Sequence, residues 1–160
     1  MGINRGKQFE DRLREQFKKL SDTICLRLYD ITMGYKNIDN PCDLIVYRHP
    51  NIILLECKTT NQTTLNFKSQ IRPNQLNSLL QNKDIRGVIS GIICWFIHNN
   101  KTIFIPIQYI DELIKESKKS FNINNYDRTK VIELAGLKKR IFFDYNLQDF
   151  LDNLFTFYNF

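Results

Sequence analysis

Residues 41–58 carry the clearest pattern of hydrophobic and polar positions in the chain, and it reads as two β-strands joined by a turn. Leu44, Ile45, Val46 and Tyr47 are strand formers, and Arg48-His49-Pro50-Asn51 is a turn cluster. The continuous apolar run 52–55 then fits a strand covered on both faces. Charge is unexpected after such a run, yet Glu56 and Lys58 follow it. Side chains alternate along a strand, so these two share one face while Cys57 takes the other. Pairing across the turn predicts that Asp43, at the start of the first strand, returns to the end where Glu56 and Lys58 finish the second.

The same periodicities place the other elements. Phe9, Leu13, Phe17 and Leu20 recur at helical spacing and predict a first helix over 4–20, capped by Asn4, with Glu10 at the border of its apolar face. Residues 23–29 alternate as a strand, 30–40 are irregular, and 59–70 are polar. Pro73 opens a second helix whose Leu76, Leu79 and Leu80 face inward, with Gln75 on the flank. Apolar strands over 87–97 and 102–106 flank a turn at 98–101, and Tyr109, Leu113 and Ile114 mark a further helix. After a loop at 122–125, strand-like pieces at 131–134 and 140–143 lead to a last helix over 147–158. The apolar positions of that helix exceed one stripe, as burial on the domain itself or at a partner subunit would require. Strands and helices interleave with no repeat or linker, so residues 1–160 are expected to form one α/β domain.

A chain of 160 residues that is 42% hydrophobic can bury a real core. Its 23 Lys and Arg against 17 Asp and Glu give a net charge of +6, which favours an anionic partner such as nucleic acid and is equally the charge of an ordinary basic protein. Cys25, Cys42, Cys57 and Cys94 are widely spaced with no C-x-x-C pair, and read as reduced thiols rather than a zinc site. The first ten residues lack an apolar core, and the longest apolar run, 87–97, is too short to span a bilayer. Neither export nor membrane insertion is expected, and the chain is placed in the cytoplasm.

Two carboxylates converging at a sheet end repel one another unless a divalent cation lies between them, and hard oxygen ligands suit Mg2+, with Mn2+ as the alternative. Asp43 and Glu56 are the candidate metal ligands, and Lys58 is placed to hold a water aimed at a phosphate. Glu10 and Gln75 could reach the same site from the two helices. The same residues also read blandly, with Asp43 opening a strand and Glu56 and Lys58 forming a solvated strand-end pair. Lys7 and Arg14 on the first helix, Tyr35 and Lys36 in the irregular segment, and Lys68 and Arg72 before the second helix are candidate contacts to nucleic acid.

With these pieces in order, the chain resembles the PD-(D/E)xK nuclease superfamily and, within it, the RecU-type Holliday junction resolvases. The resemblance rests on GKQFED at 6–11, PCDLIVY at 41–47, LLECKTT at 54–60, NFKSQIRPNQLNSL at 66–79 and the hydrophobic hairpin 87–107, roughly two thirds of the chain. It implies a restriction-endonuclease-like core, a mixed central β-sheet flanked by helices, and a Mg2+-dependent homodimer that nicks two strands symmetrically at a four-way DNA junction. By position, Asp43 and Glu56 would bind metal, Lys58 would position the attacking water, and Glu10 and Gln75 would support the site. Two departures stand out: the family's Pro-Asp is here Pro41-Cys42-Asp43, and only residues 30–40 occupy the place of its long stalk. The alternatives are a restriction or repair nuclease acting on duplex or flap DNA, and a catalytically silent DNA-binding module.

Overall fold

The computed structural model describes residues 4–28 and 40–159. Among these residues the elements follow in the order α1 (Arg5–Phe17), β1 (Ile24–Arg27), β2 (Leu44–Arg48), β3 (Asn51–Thr60), β4 (Thr64–Asn66), α2 (Pro73–Gln81), β5 (Val88–Phe96), β6 (Lys101–Pro106), α3 (Ile107–Lys115) and β7 (Ser120–Asn122). A single 3-10 turn, then β8 (Ile132–Glu133), β9 (Gly136–Lys138), β10 (Phe143–Tyr145) and α4 (Leu147–Phe157) complete the chain. Six of the strands form one mixed sheet in the order β1-β2-β3-β5-β6-β8. The β3–β5 pairing is parallel and α2 supplies its crossover, while the other pairs in that sheet are antiparallel. This is an α/β fold, as the hydrophobic pattern predicts, and its mixed central sheet flanked by helices is the one the family resemblance implies.

Alternation along the strands sends side chains into two cores. On one face Phe9, Leu13 and Phe17 of α1 and Phe150, Leu151 and Leu154 of α4 pack over Val46, Ile53, Leu55 and Ile93. On the other, Leu79 of α2 and Ile107, Ile110 and Leu113 of α3 cover Leu54, Ile92, Cys94 and Ile105. Phe9, Leu13 and Phe17 are almost wholly buried, and burial of such side chains contributes about 1.5–3 kcal/mol each. Asn4 caps α1 by accepting from the Lys7 backbone N–H, 3.2 Å away. That interaction sets where the helix begins, and so how Glu10 is presented.

Several expectations change. The first helix stops at Phe17 rather than residue 20 and β1 ends at Arg27; the two differ from the predicted boundaries only at their frayed ends. The strand expected over 140–143 is displaced: Lys139 donates its backbone N–H to the Phe142 carbonyl in a turn, and Phe143–Tyr145 pairs with Gly136–Lys138. Glu56 and Lys58 do not end their strand, because the parallel pairing with β5 continues to Thr60 opposite Phe96. One stripe of α4, Leu147, Phe150, Leu151 and Leu154, is buried in the chain's own core, while Phe155 and Tyr158 are half-buried and Phe157 is exposed. Exposed apolar side chains also gather on the sheet face opposite α1, where Ile24 and Leu26 of β1 stand beside Tyr47 and Ile52. No helix among the described residues is long and apolar enough to cross a membrane.

Candidate active site

The site is built where β2 and β3 part. Their ladder closes with Leu44 opposite Leu55, and one step further the Asp43 backbone N–H donates to the Leu55 carbonyl at 3.1 Å. Beyond that point the N–H of Cys57 has no β2 residue to meet and donates to Asp43 Oδ2 at 2.8 Å. The aspartate carboxylate thereby replaces a ladder hydrogen bond and is held against β3. Glu56, one register step beyond the Leu44–Leu55 pair, lies across from Asp43 and is fully buried. The gap between the strands opens into a cleft of about 530 Å³ lined by Lys7 and Glu10 of α1, by Asp43, Glu56 and Lys58, and by Arg72 and Gln75 at the start of α2.

A fully buried carboxylate is costly unless compensated. Lys58 Nζ stands 2.7 Å from Glu56 Oε1 as an ion pair, and beyond Lys58 and the Asp43 carboxyl no donor among the described residues reaches the Glu56 oxygens. Burial, followed by the charge of Asp43, pushes the Glu56 carboxyl up to about 8. Burial also raises Asp43, opposed by the Cys57 N–H and then by the Lys58 charge. Gln75 is buried as well, and its Oε1 is unpartnered on the cleft wall. This set of unsatisfied oxygens fits a hard divalent cation held by Asp43 and Glu56, since Mg2+ is commonly held by one or two carboxylates with water and phosphate completing its shell. Among the described residues there is no cluster of three or more His, Cys, Asp or Glu side chains able to enclose a metal by themselves.

Glu10 enters from α1. Arg27, pointing to the α1 side of β1, forms ion pairs with both Glu10 and Asp11 and lines the same cleft. The Glu10 carboxyl is pushed up to about 7 by burial first and the Asp43 charge second, with Arg27 opposing both. Sequence reading missed Arg27, although a signal existed: in 23–29 it shares the inward face with Cys25, a position where an arginine needs an acidic partner.

The structure therefore gathers Glu10, Asp43, Glu56, Lys58, Gln75, Lys7 and Arg72 around one cleft. Two other candidates lie elsewhere. Arg14 is half-buried and ion-paired with Glu15 at 3.0 Å, so part of the helix's basic face is engaged within α1. Lys68 is exposed in the turn after β4, where its backbone N–H is taken by Asn66 Oδ1 at 3.0 Å. Tyr35 and Lys36 lie outside the described residues, as does most of the 30–40 segment.

The family model for Recombination protein U matches residues 27–148 of the chain. That span includes Arg27, Asp43, Glu56, Lys58 and Gln75, omits Glu10, and continues past the residue-107 limit of the sequence resemblance. A solved structure of Hjc, a Holliday junction resolvase from Archaeoglobus fulgidus, is similar at 16% identity over 64% of this chain and 78% of that chain, with a TM-score of 0.47. No curated protein matches. With a match over well more than half its length, the chain belongs to the Recombination protein U family of Holliday junction resolvases.

Proposed function

We propose that this protein is a structure-selective endonuclease that resolves four-way DNA junctions by paired nicks, with Asp43 and Glu56 as ligands of a divalent cation. The observation that carries the reading is fully buried Glu56 across from half-buried Asp43, with Lys58 and Gln75 in one cleft, in a chain of this family. A bound Mg2+ or Mn2+ would supply Lewis-acid activation of the phosphodiester and of the attacking water. The residues of the chain do the rest. The Lys58 ammonium, ion-paired to Glu56, orients water towards the phosphorus and offsets negative charge as the new P–O bond forms and the ester oxygen leaves with a proton. The Gln75 amide oxygen, unpartnered among the described residues, accepts from that water, or its NH2 donates to a phosphate oxygen. Arg27 holds Glu10 on the α1 wall, and Lys7 and Arg72 hold phosphates of the bound strand at the rim.

Symmetric incision requires two sites, and a homodimer supplies them. The surface that favours pairing is the exposed patch of Ile24, Leu26, Tyr47 and Ile52 on β1, β2 and β3, since contiguous exposed apolar side chains mark interfaces. Choice of a junction over duplex falls to residues 30–40, where Tyr35 offers a stacking ring and Lys36 a cation. One domain then carries the whole active site, acting on DNA in the cytoplasm of a bacterial or phage-infected cell.

Labelled four-way junction, flap and linear duplex incubated with the protein, with and without Mg2+, test the reading. Paired nicks in the junction that vanish on chelation are expected. Equal cutting of duplex would favour the general nuclease alternative, and binding without cutting the silent DNA-binding module.

A further inference from the structure

A strand whose phosphate sits at Asp43, Glu56 and Lys58 must continue on both sides. At one end the cleft is lined by Leu28 and Asn40. The other way, past Thr59, it adjoins a second open cavity of about 650 Å³, and the two share Asn4, Gly6 and Thr59 in their walls. This second space is lined by Arg5 at the start of α1, by Thr59, Thr60 and Asn61 where β3 runs out, and by His98 in the β5–β6 turn.

Its chemistry is the reverse of the cleft's. None of its described lining residues is acidic, whereas Glu10, Asp43 and Glu56 lie in the cleft next door. Arg5, Asn61 and His98 are all exposed. The same turn holds Asn100, whose Oδ1 accepts from Lys138 Nζ at 2.6 Å. Gly6 lies where the two spaces join, between Asn4 Oδ1 and Thr59 Oγ1, which a Cβ there would meet at 3.4 and 3.8 Å, ordinary contact distances. Carboxylates can face a polyanion only where a cation neutralises them, and beyond that point phosphates require cations and neutral hydrogen-bonding groups.

We infer that this acid-free trough is the path of the cleaved DNA strand on one side of the incision, with Arg5, Asn61 and His98 contacting its sugar-phosphate backbone. The inference deepens the nuclease reading and rests on it. From Lys58 to Asn61 is about 10 Å at a strand rise of ~3.3 Å per residue, and successive phosphates along one strand are roughly 6–7 Å apart, about twice the axial rise. The strand therefore meets Asn61 about one to two nucleotides from the scissile phosphate.

The four native cysteines are buried, so a thiol introduced on the surface is selectively reactive. Asn61→Cys and His98→Cys proteins are mixed, without Mg2+, with four-way junctions carrying an activated disulfide on the backbone at successive positions around the incision. Exchange joins protein to DNA and releases the small thiol. Lys115→Cys, on exposed α3 surface lining neither cavity, is the control. Cross-linking of Asn61→Cys should peak about one to two nucleotides from the cut on one side only, at least tenfold above the control. Arg5→Glu with His98→Glu should weaken junction binding at least tenfold and lower its salt slope by about 1 to 2. A wild-type protein that cuts the junction while Asn61→Cys reacts no better than Lys115→Cys overturns the trough alone. A wild-type protein that cuts no DNA overturns the nuclease reading and the trough with it.

Discussion

At the scale of single residues the site is a problem of buried charge. Glu56, fully buried, is offset by one lysine, and Asp43 by one backbone N–H and the same lysine. Both acids and the lysine were legible in the sequence because charge interrupts an apolar strand there, and strand alternation correctly put Glu56 and Lys58 on one face. What the sequence could not disclose is the partner of Glu10: Arg27 lies 17 positions away and meets it only when α1 crosses β1. Arg27→Met is expected to lower the cleavage rate by about 10- to 100-fold, the range for removing a group that orients a metal-site residue. Junction affinity should stay unchanged, and Arg27→Lys should recover part of the rate. Loss of binding in step with activity would instead mean that Arg27 contacts DNA. The cysteines give an independent check on packing. All four are buried, and burial raises Cys25 to about 11, so at pH 8 almost none of it is thiolate. Thiol reagent should label the folded protein slowly and label four sites on unfolding, whereas prompt labelling of the native protein would contradict the core described.

At the scale of elements, long periodic segments were readable and short ones were not. The helices opened by Asn4 and Pro73 and the strands around residues 98–101 emerge from spacing and caps, since their apolar positions repeat over two turns or more. The β4–β7 and β9–β10 ribbons have three residues per strand, too few for alternation to register, and depend on partners distant in sequence or on turn geometry. Close packing between elements yields a specific expectation at Gly91 of β5. A Cβ there would lie 2.6 Å from the Ile105 carbonyl oxygen and from the Phe104 ring of β6. Gly91→Ala should therefore destabilise by about 1–3 kcal/mol, read as a lower urea midpoint with an unchanged slope. A midpoint equal to wild type would show that β5 and β6 can separate without cost. A similar drop is not expected for Gly6→Ala, where the nearest contact is a side-chain oxygen at 3.4 Å.

At the scale of the whole molecule, two demands meet: binding a polyanion and cutting it at a chosen structure. The net charge of +6 favours any DNA through counterion release, so selectivity must come from shape. Tyr35→Ala with Lys36→Ala should narrow the preference for junction over matched duplex while leaving duplex cleavage nearly unchanged, measured by competition at physiological salt. One stripe of α4 belongs to the core while Phe157 stays exposed, and a second exposed apolar patch lies on β1, β2 and β3, which spacing alone could not disclose without knowing which sheet face the helices cover. Light scattering at micromolar protein should return twice the 19.1 kDa mass of the chain, and Ile24→Asp with Leu26→Asp should return that mass itself. A wild-type monomer would remove the basis for paired incision. The most direct test of the whole account is single-turnover cleavage of a four-way junction in Mg2+ by wild type, Asp43→Asn and Glu56→Gln, with binding measured on the same samples. The account predicts paired nicks by wild type and a rate loss of more than about 100-fold in each variant, with junction affinity equal or higher because a carboxylate no longer repels phosphate. Variants that cut as fast as wild type would contradict it.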